Sequence, residues 1–203
     1  MTYFSERELG ARPRTREEIT ESAWRGIASV IQTRINDGSF GFSFPDICND
    51  EGRNTTIGTN TGLMGSAIVG EFPYLEWPLN PHGVVPDLYD VLDLIEFCYQ
   101  RVAHVKTREW HDYMGHNHLF YDPERGRAEF RALINRIFAR NEIAFDLNED
   151  GQISRLAPIV LRESLEAATI ATGDTILDHL LEVARHKFLS GRARINAQGK
   201  AHC

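Results

Sequence analysis

Cysteine, uninterrupted apolar stretches and catalytic signatures are all scarce in this sequence. Cys48, Cys98 and Cys203 are the only cysteines in 203 residues, and they are far apart without Cys-x-x-Cys spacing. That pattern belongs to reduced thiols in a cytoplasm rather than to a disulfide framework. No apolar run approaches the length needed to cross a bilayer and no segment resembles a signal peptide, so neither a membrane span nor a leader is expected. Gly58, Gly62, Gly65 and Gly70 are not part of a Gly-x-x-x-x-Gly-Lys motif, which removes a phosphate loop. There is no His-Glu-x-x-His, and no serine or cysteine nucleophile sits in an elbow motif. Internal repeats and low-complexity tracts are absent too.

What is present suffices for a folded domain. The chain is 42% hydrophobic and 25% charged, so a sizeable core is expected. A net charge of −7 argues against a dominant nucleic-acid surface and leaves room only for a local basic patch. Apolar residues recur at helical spacing in Ile19, Trp24, Ile27, Ile31 and Ile35, behind a capping box at Thr15-Arg16-Glu17-Glu18. Leu88, Val91, Leu92, Ile95, Phe97, Cys98 and Val102 form a broader stripe, and Phe130, Leu133, Ile134, Ile137 and Phe138 form another after Pro123. The predicted fold is mainly α, with about five helices near 15–36, 87–107, 123–141, 158–172 and 175–189, and one small β-hairpin at 143–156. Phe40, Phe42 and Phe44 alternate as in a short strand or edge segment, but 48–62 reads as an exposed, mobile surface loop within a long irregular stretch.

Residues 110–156 contain two possible metal sites. Asp146, Asn148, Asp150, Gly151 and Ile153 match the first part of an EF-hand loop, but the position that requires a bidentate Glu holds Ala157, followed by Pro158. A hairpin turning at Asn148-Glu149-Asp150-Gly151 accounts better for these residues. The segment Trp110 to Asp122 concentrates imidazoles at His111, His116 and His118. On a strand, His116 and His118 point to one face. Two readings stay open: imidazoles hydrogen-bonding a loop in place over Trp110, Tyr113 and Phe120, or a metal site of His111, His116, His118 and Asp122.

Several short pieces in one order along the chain resemble the AbiJ-type N-terminal domain of abortive-infection proteins. They include Ser5-Glu6-Arg7-Glu8, Arg12-Pro13-Arg14-Thr15, Asp37-Gly38-Ser39-Phe40-Gly41 and Trp110-His111 with His116 to Phe120. Ile134-Asn135 with Arg140-Asn141, Thr172-Gly173-Asp174, Leu177-Asp178 and Ala184 to Phe188 complete the set. The resemblance implies a regulatory domain over residues 1–191, normally followed by a HEPN ribonuclease domain, and the basic, aperiodic stretch 192–203 reads as a disordered tail. No Arg-x(4–6)-His motif of HEPN nucleases occurs in this chain, so the regulatory part alone is expected here.

The expected function is therefore a non-catalytic sensor or binding domain of an anti-phage defence system, with Trp110, His111, His116, His118, Arg140 and Asn141 as binding candidates and no cofactor. The expected partner is a protein, either a HEPN domain or a second copy of the chain. The alternative is a metal-dependent hydrolase built on His111, His116 and His118. A third reading is an RNA surface formed by Arg12, Arg14 and Arg16 with the basic stretch 185–194.

Overall fold

A computed structural model describes residues 3–50, 55–156 and 172–189. Three helices form the centre: α2 (Glu21–Asn36), α4 (Leu88–Arg101) and α5 (Pro123–Arg140). They are preceded by α1 (Phe4–Leu9), and α3 (Thr61–Glu71) lies between α2 and α4. The described part ends with α6 (Thr175–Leu189). Three antiparallel hairpins complete the fold: β1 (Pro45–Cys48) with β2 (Thr55–Thr59), β3 (His104–His111) with β4 (His116–Asp122), and β5 (Phe145–Leu147) with β6 (Ile153–Arg155).

Helical periodicity sets the core. Ala23, Trp24, Ile27, Ala28, Ile31 and Ile35 are the buried side of α2, and Phe130, Ile134 and Phe138 recur every four residues on α5. Val91, Leu92, Leu94, Ile95, Phe97 and Cys98 are all buried on α4, which makes it the most enclosed of the three. Burial pushes the Cys98 thiol up, outweighing the opposing charge of Arg101, so this cysteine is a small apolar core residue.

The expectation of a mainly α fold with one hairpin is overturned. The described residues are 47% helix and 19% strand, a mixed α/β arrangement with three sheets. Three local causes account for the difference. First, α4 stops at Arg101 instead of continuing to 107. Val102 turns extended and the Ala103 N–H bonds to the Ser39 carbonyl at 2.8 Å, which directs the chain into β3. Second, residues 48–62 are not one loop. Thr55, Thr56 and Thr59 favour a strand that pairs with Pro45–Cys48, and Asn60 caps α3 by accepting from the Leu63 N–H at 2.9 Å. Third, the glycines of α3 read as loop but permit contact. A Cβ on Gly65 would stand 2.2 Å from Trp77 Nε1, so only glycine lets that indole lie on the helix.

At the N-terminal end the predicted capping box moves. Arg16 forms a bridge with Ile143, and the cap of α2 is Thr20, whose hydroxyl accepts from the Ala23 N–H at 3.3 Å. The 143–156 hairpin does form. Its turn closes with Gly151 at φ +79, and Asp146 pairs with Arg14 at 3.0 Å, away from any calcium-loop geometry. The helix expected at 158–172 lies almost entirely outside the described residues, as does the tail at 192–203. Among the described residues no helix is long and apolar enough to cross a membrane.

Candidate metal centre

The β3–β4 hairpin leaves α4 and enters α5, so its base is fixed at both ends. His104 pairs across from Asp122 there. His104 Nδ1 lies 3.0 Å from Glu129, which also receives Arg125 at 2.9 Å and Arg34 at 3.3 Å. Burial raises the Glu129 pKa, but these three cationic or donor groups outweigh it and hold the carboxyl below its ordinary value. Asp122 accepts from the Arg125 N–H at 3.1 Å and so caps α5.

At the opposite end, the turn Asp112–Gly115 brings His111 directly across from His116, while His118 faces Glu109. Register therefore puts His111, His116 and His118 on one face. Their ring centroids are 4.8 to 5.4 Å apart. Cys48, at the end of β1 and buried, enters from the other hairpin with Sγ 3.8 Å from His111 Nδ1. One donor atom from each of these four residues lies within 4.8 Å of the others.

Asp50, two residues beyond Cys48, places Oδ2 3.0 Å from His111 Nε2. With Nε2 turned to the carboxylate, Nδ1 is the nitrogen that faces Cys48 and the cluster. His116 and His118 each bury Nε2 with no hydrogen-bond partner among the described residues. Two orphaned imidazole nitrogens beside a buried thiol are costly unless something else binds them.

The sequence candidates thus separate into two groups. His111, His116 and His118 come together. Asp122, grouped with them in the metal-site reading, caps α5 at the far end of the hairpin, and Cys48 lies with the three histidines instead. Trp110 is 57% exposed beside the cluster. Arg140 and Asn141 sit at the opposite end of α5, where Arg140 pairs with Glu6 at 2.8 Å and lies over the Tyr3 ring, and Asn141 bonds to the Ile137 carbonyl. The hydrogen bond from Arg140, aided by that from the Tyr3 N–H, holds the Glu6 carboxyl below its ordinary value. Imidazoles also meet carboxylates at His104 and His111, as the loop-holding reading expects, but His116 and His118 do not. Arg12, Arg14 and Arg16 each meet an acid, Glu142 or Asp146, so the N-terminal arginines are matched within the chain.

Sequence reasoning missed Cys48 and Asp50. The available signal was the spacing His-x(4)-His-x-His across a glycine-containing turn, which is a hairpin ligand pattern. Its fourth member is 63 residues away from His111 and has no local motif.

No curated protein and no solved structure matches the chain significantly. The family model described as AbiJ N-terminal domain 4 matches residues 2–170, which takes in both hairpins of the cluster and the whole helical core. The chain therefore belongs to the AbiJ N-terminal domain 4 family, a domain associated with abortive infection.

Proposed function

We propose that this domain is the non-catalytic sensing and regulatory part of a cytoplasmic abortive-infection system, and that it holds a HEPN ribonuclease domain through α6. Family membership supports the defence setting. The observation that carries the docking is the exposed side of α6. Ile176 is 73% exposed and Leu180 58%, with Leu177, Leu181 and Val183 exposed beside them. The helix is well begun: Asp174 accepts from the Ile176 and Leu177 N–H groups at 2.9 and 3.2 Å, and Thr172 is tied to Asp178. A capped helix with contiguous apolar side chains in solvent is a surface for another helix. Burying each such side chain fully is worth about 1.5–3 kcal/mol, so a few of them suffice to hold a helical partner.

The test is light scattering of the protein mixed with a purified HEPN-type ribonuclease domain. The expected result is a one-to-one complex that the double substitution Ile176→Glu/Leu180→Glu abolishes. Absence of a complex, or an equally tight complex with the double variant, contradicts the reading. A homodimer dissolved by the same substitutions assigns α6 to self-association instead.

A further inference from the structure

We propose that Cys48, His111, His116 and His118 bind one zinc ion, which clasps the β1–β2 hairpin to the β3–β4 hairpin as a structural centre. Four donors from two separate sheets lie within 4.8 Å of one another. Tetrahedral zinc, with bonds of about 2.0–2.3 Å, sets nitrogen and sulfur donors roughly 3.3–3.6 Å apart. The 3.8 Å between Cys48 Sγ and His111 Nδ1 is already close to that spacing. The other donor separations, all within 4.8 Å, close to that spacing on binding.

Three further observations point to a ligand rather than to simple packing. The Nε2 atoms of His116 and His118 are buried without a partner among the described residues, and a bound metal would supply one. Asp50 acts on the far nitrogen of His111, the arrangement in which a carboxylate orients a ligating imidazole and raises its basicity. The four donors are one sulfur and three imidazoles, with no carboxylate among them. That set suits zinc and not calcium or magnesium.

The donor count also decides the role. A hydrolytic zinc keeps a position open for water, whereas four protein ligands close the coordination sphere. The centre is therefore assigned to holding structure. Binding converts the Cys48 thiol to a thiolate and releases its proton to solvent. Once formed, the clasp fixes β1 against the tip of β3–β4, two elements that no hydrogen-bonded sheet connects among the described residues. The inference stands whether or not α6 receives a HEPN domain.

The test uses the full chain without a histidine tag. Elemental analysis of the purified protein is expected to find one zinc per chain. Cobalt(II) added to metal-stripped protein is expected to saturate at one equivalent and to give a thiolate-to-cobalt charge-transfer band in the near ultraviolet. Cys48→Ser should remove that band, and Cys48→Ser/His118→Ala should reduce bound zinc at least tenfold. Asp122→Asn should retain full zinc. Should the double variant fail to fold, the cobalt titration of the wild-type protein decides alone. Failure of the wild-type protein to take up zinc or cobalt, a stoichiometric metal other than zinc, or a charge-transfer band that survives Cys48→Ser overturns the assignment.

Discussion

The β5–β6 and β3–β4 hairpins differ in what their polar groups meet. Around β5–β6 the polar groups find partners. Asn135 of α5 donates to the Leu147 carbonyl at 2.9 Å and accepts from the Leu147 N–H at 2.8 Å, so one amide takes the place of a neighbouring strand. Tyr99 donates its hydroxyl proton to the Glu149 carbonyl at 2.6 Å, and Glu96 accepts from the Ile153 N–H. Arg14 closes the remaining side through the Ile143 and Phe145 carbonyls. At the tip of β3–β4, the buried Nε2 atoms of His116 and His118 have no hydrogen-bond partner among the described residues. One hairpin is completed by its own protein, and the other is complete only with a ligand. Internal satisfaction is what separates polar residues that serve the fold from those that serve a site.

The comparison can be broken from either side. The largest effect is expected from removing metal. A strong chelator should lower the melting temperature of the wild-type protein by roughly 10 °C, since a structural metal is worth several kcal/mol and each is worth about 2–4 °C in a domain of this size. Calorimetry checks this, and Cys48→Ser should melt at the lowered temperature with no response to chelator. Next comes Asn135→Ala, which orphans both polar groups of the buried Leu147 backbone and should cost about 2 kcal/mol in urea unfolding. Its cost should be the same with and without metal, because the two hairpins share no partners. Tyr99→Phe should cost about 1 kcal/mol by the same measurement.

The smallest effect concerns the base of β3–β4. Glu129 is held below its ordinary pKa by Arg125, His104 and Arg34, against the burial that raises it. Its contribution is fully present above the unfolded value of about 4.3 and is lost as pH falls through the lower folded value. Glu129→Gln should therefore flatten the acid limb of a stability profile below about pH 4.5.

The three central helices were legible because apolar periodicity survives in sequence, and the β5–β6 hairpin was legible because its turn chemistry is local. The β3–β4 hairpin was half legible: His116 and His118 were placed on one face, but Val102 was read as the end of α4's stripe when it begins the turn into a strand. Residues 48–62 look like loop because glycine and threonine signal flexibility, although here they supply the strand β2, and Gly65 just beyond them permits a close helix–indole contact. The cluster could be only partly seen. His111, His116 and His118 are near neighbours in sequence, whereas Cys48 and Asp50 reach them through the pairing of a different sheet. Asp122 was a plausible ligand by proximity, yet an even spacing from His116 and His118 on a strand does not outweigh a position six residues up the hairpin, where it caps α5.

Hydrogen exchange, measured by mass spectrometry on the protein before and after metal removal, tests the central contrast most directly. The account predicts that stripping the metal accelerates exchange at β1 and at the tip of β3–β4, while β5–β6 and the buried turns of α2 and α4 keep their protection. Unchanged exchange at both hairpins, or equal loss of protection at β5–β6, would contradict it.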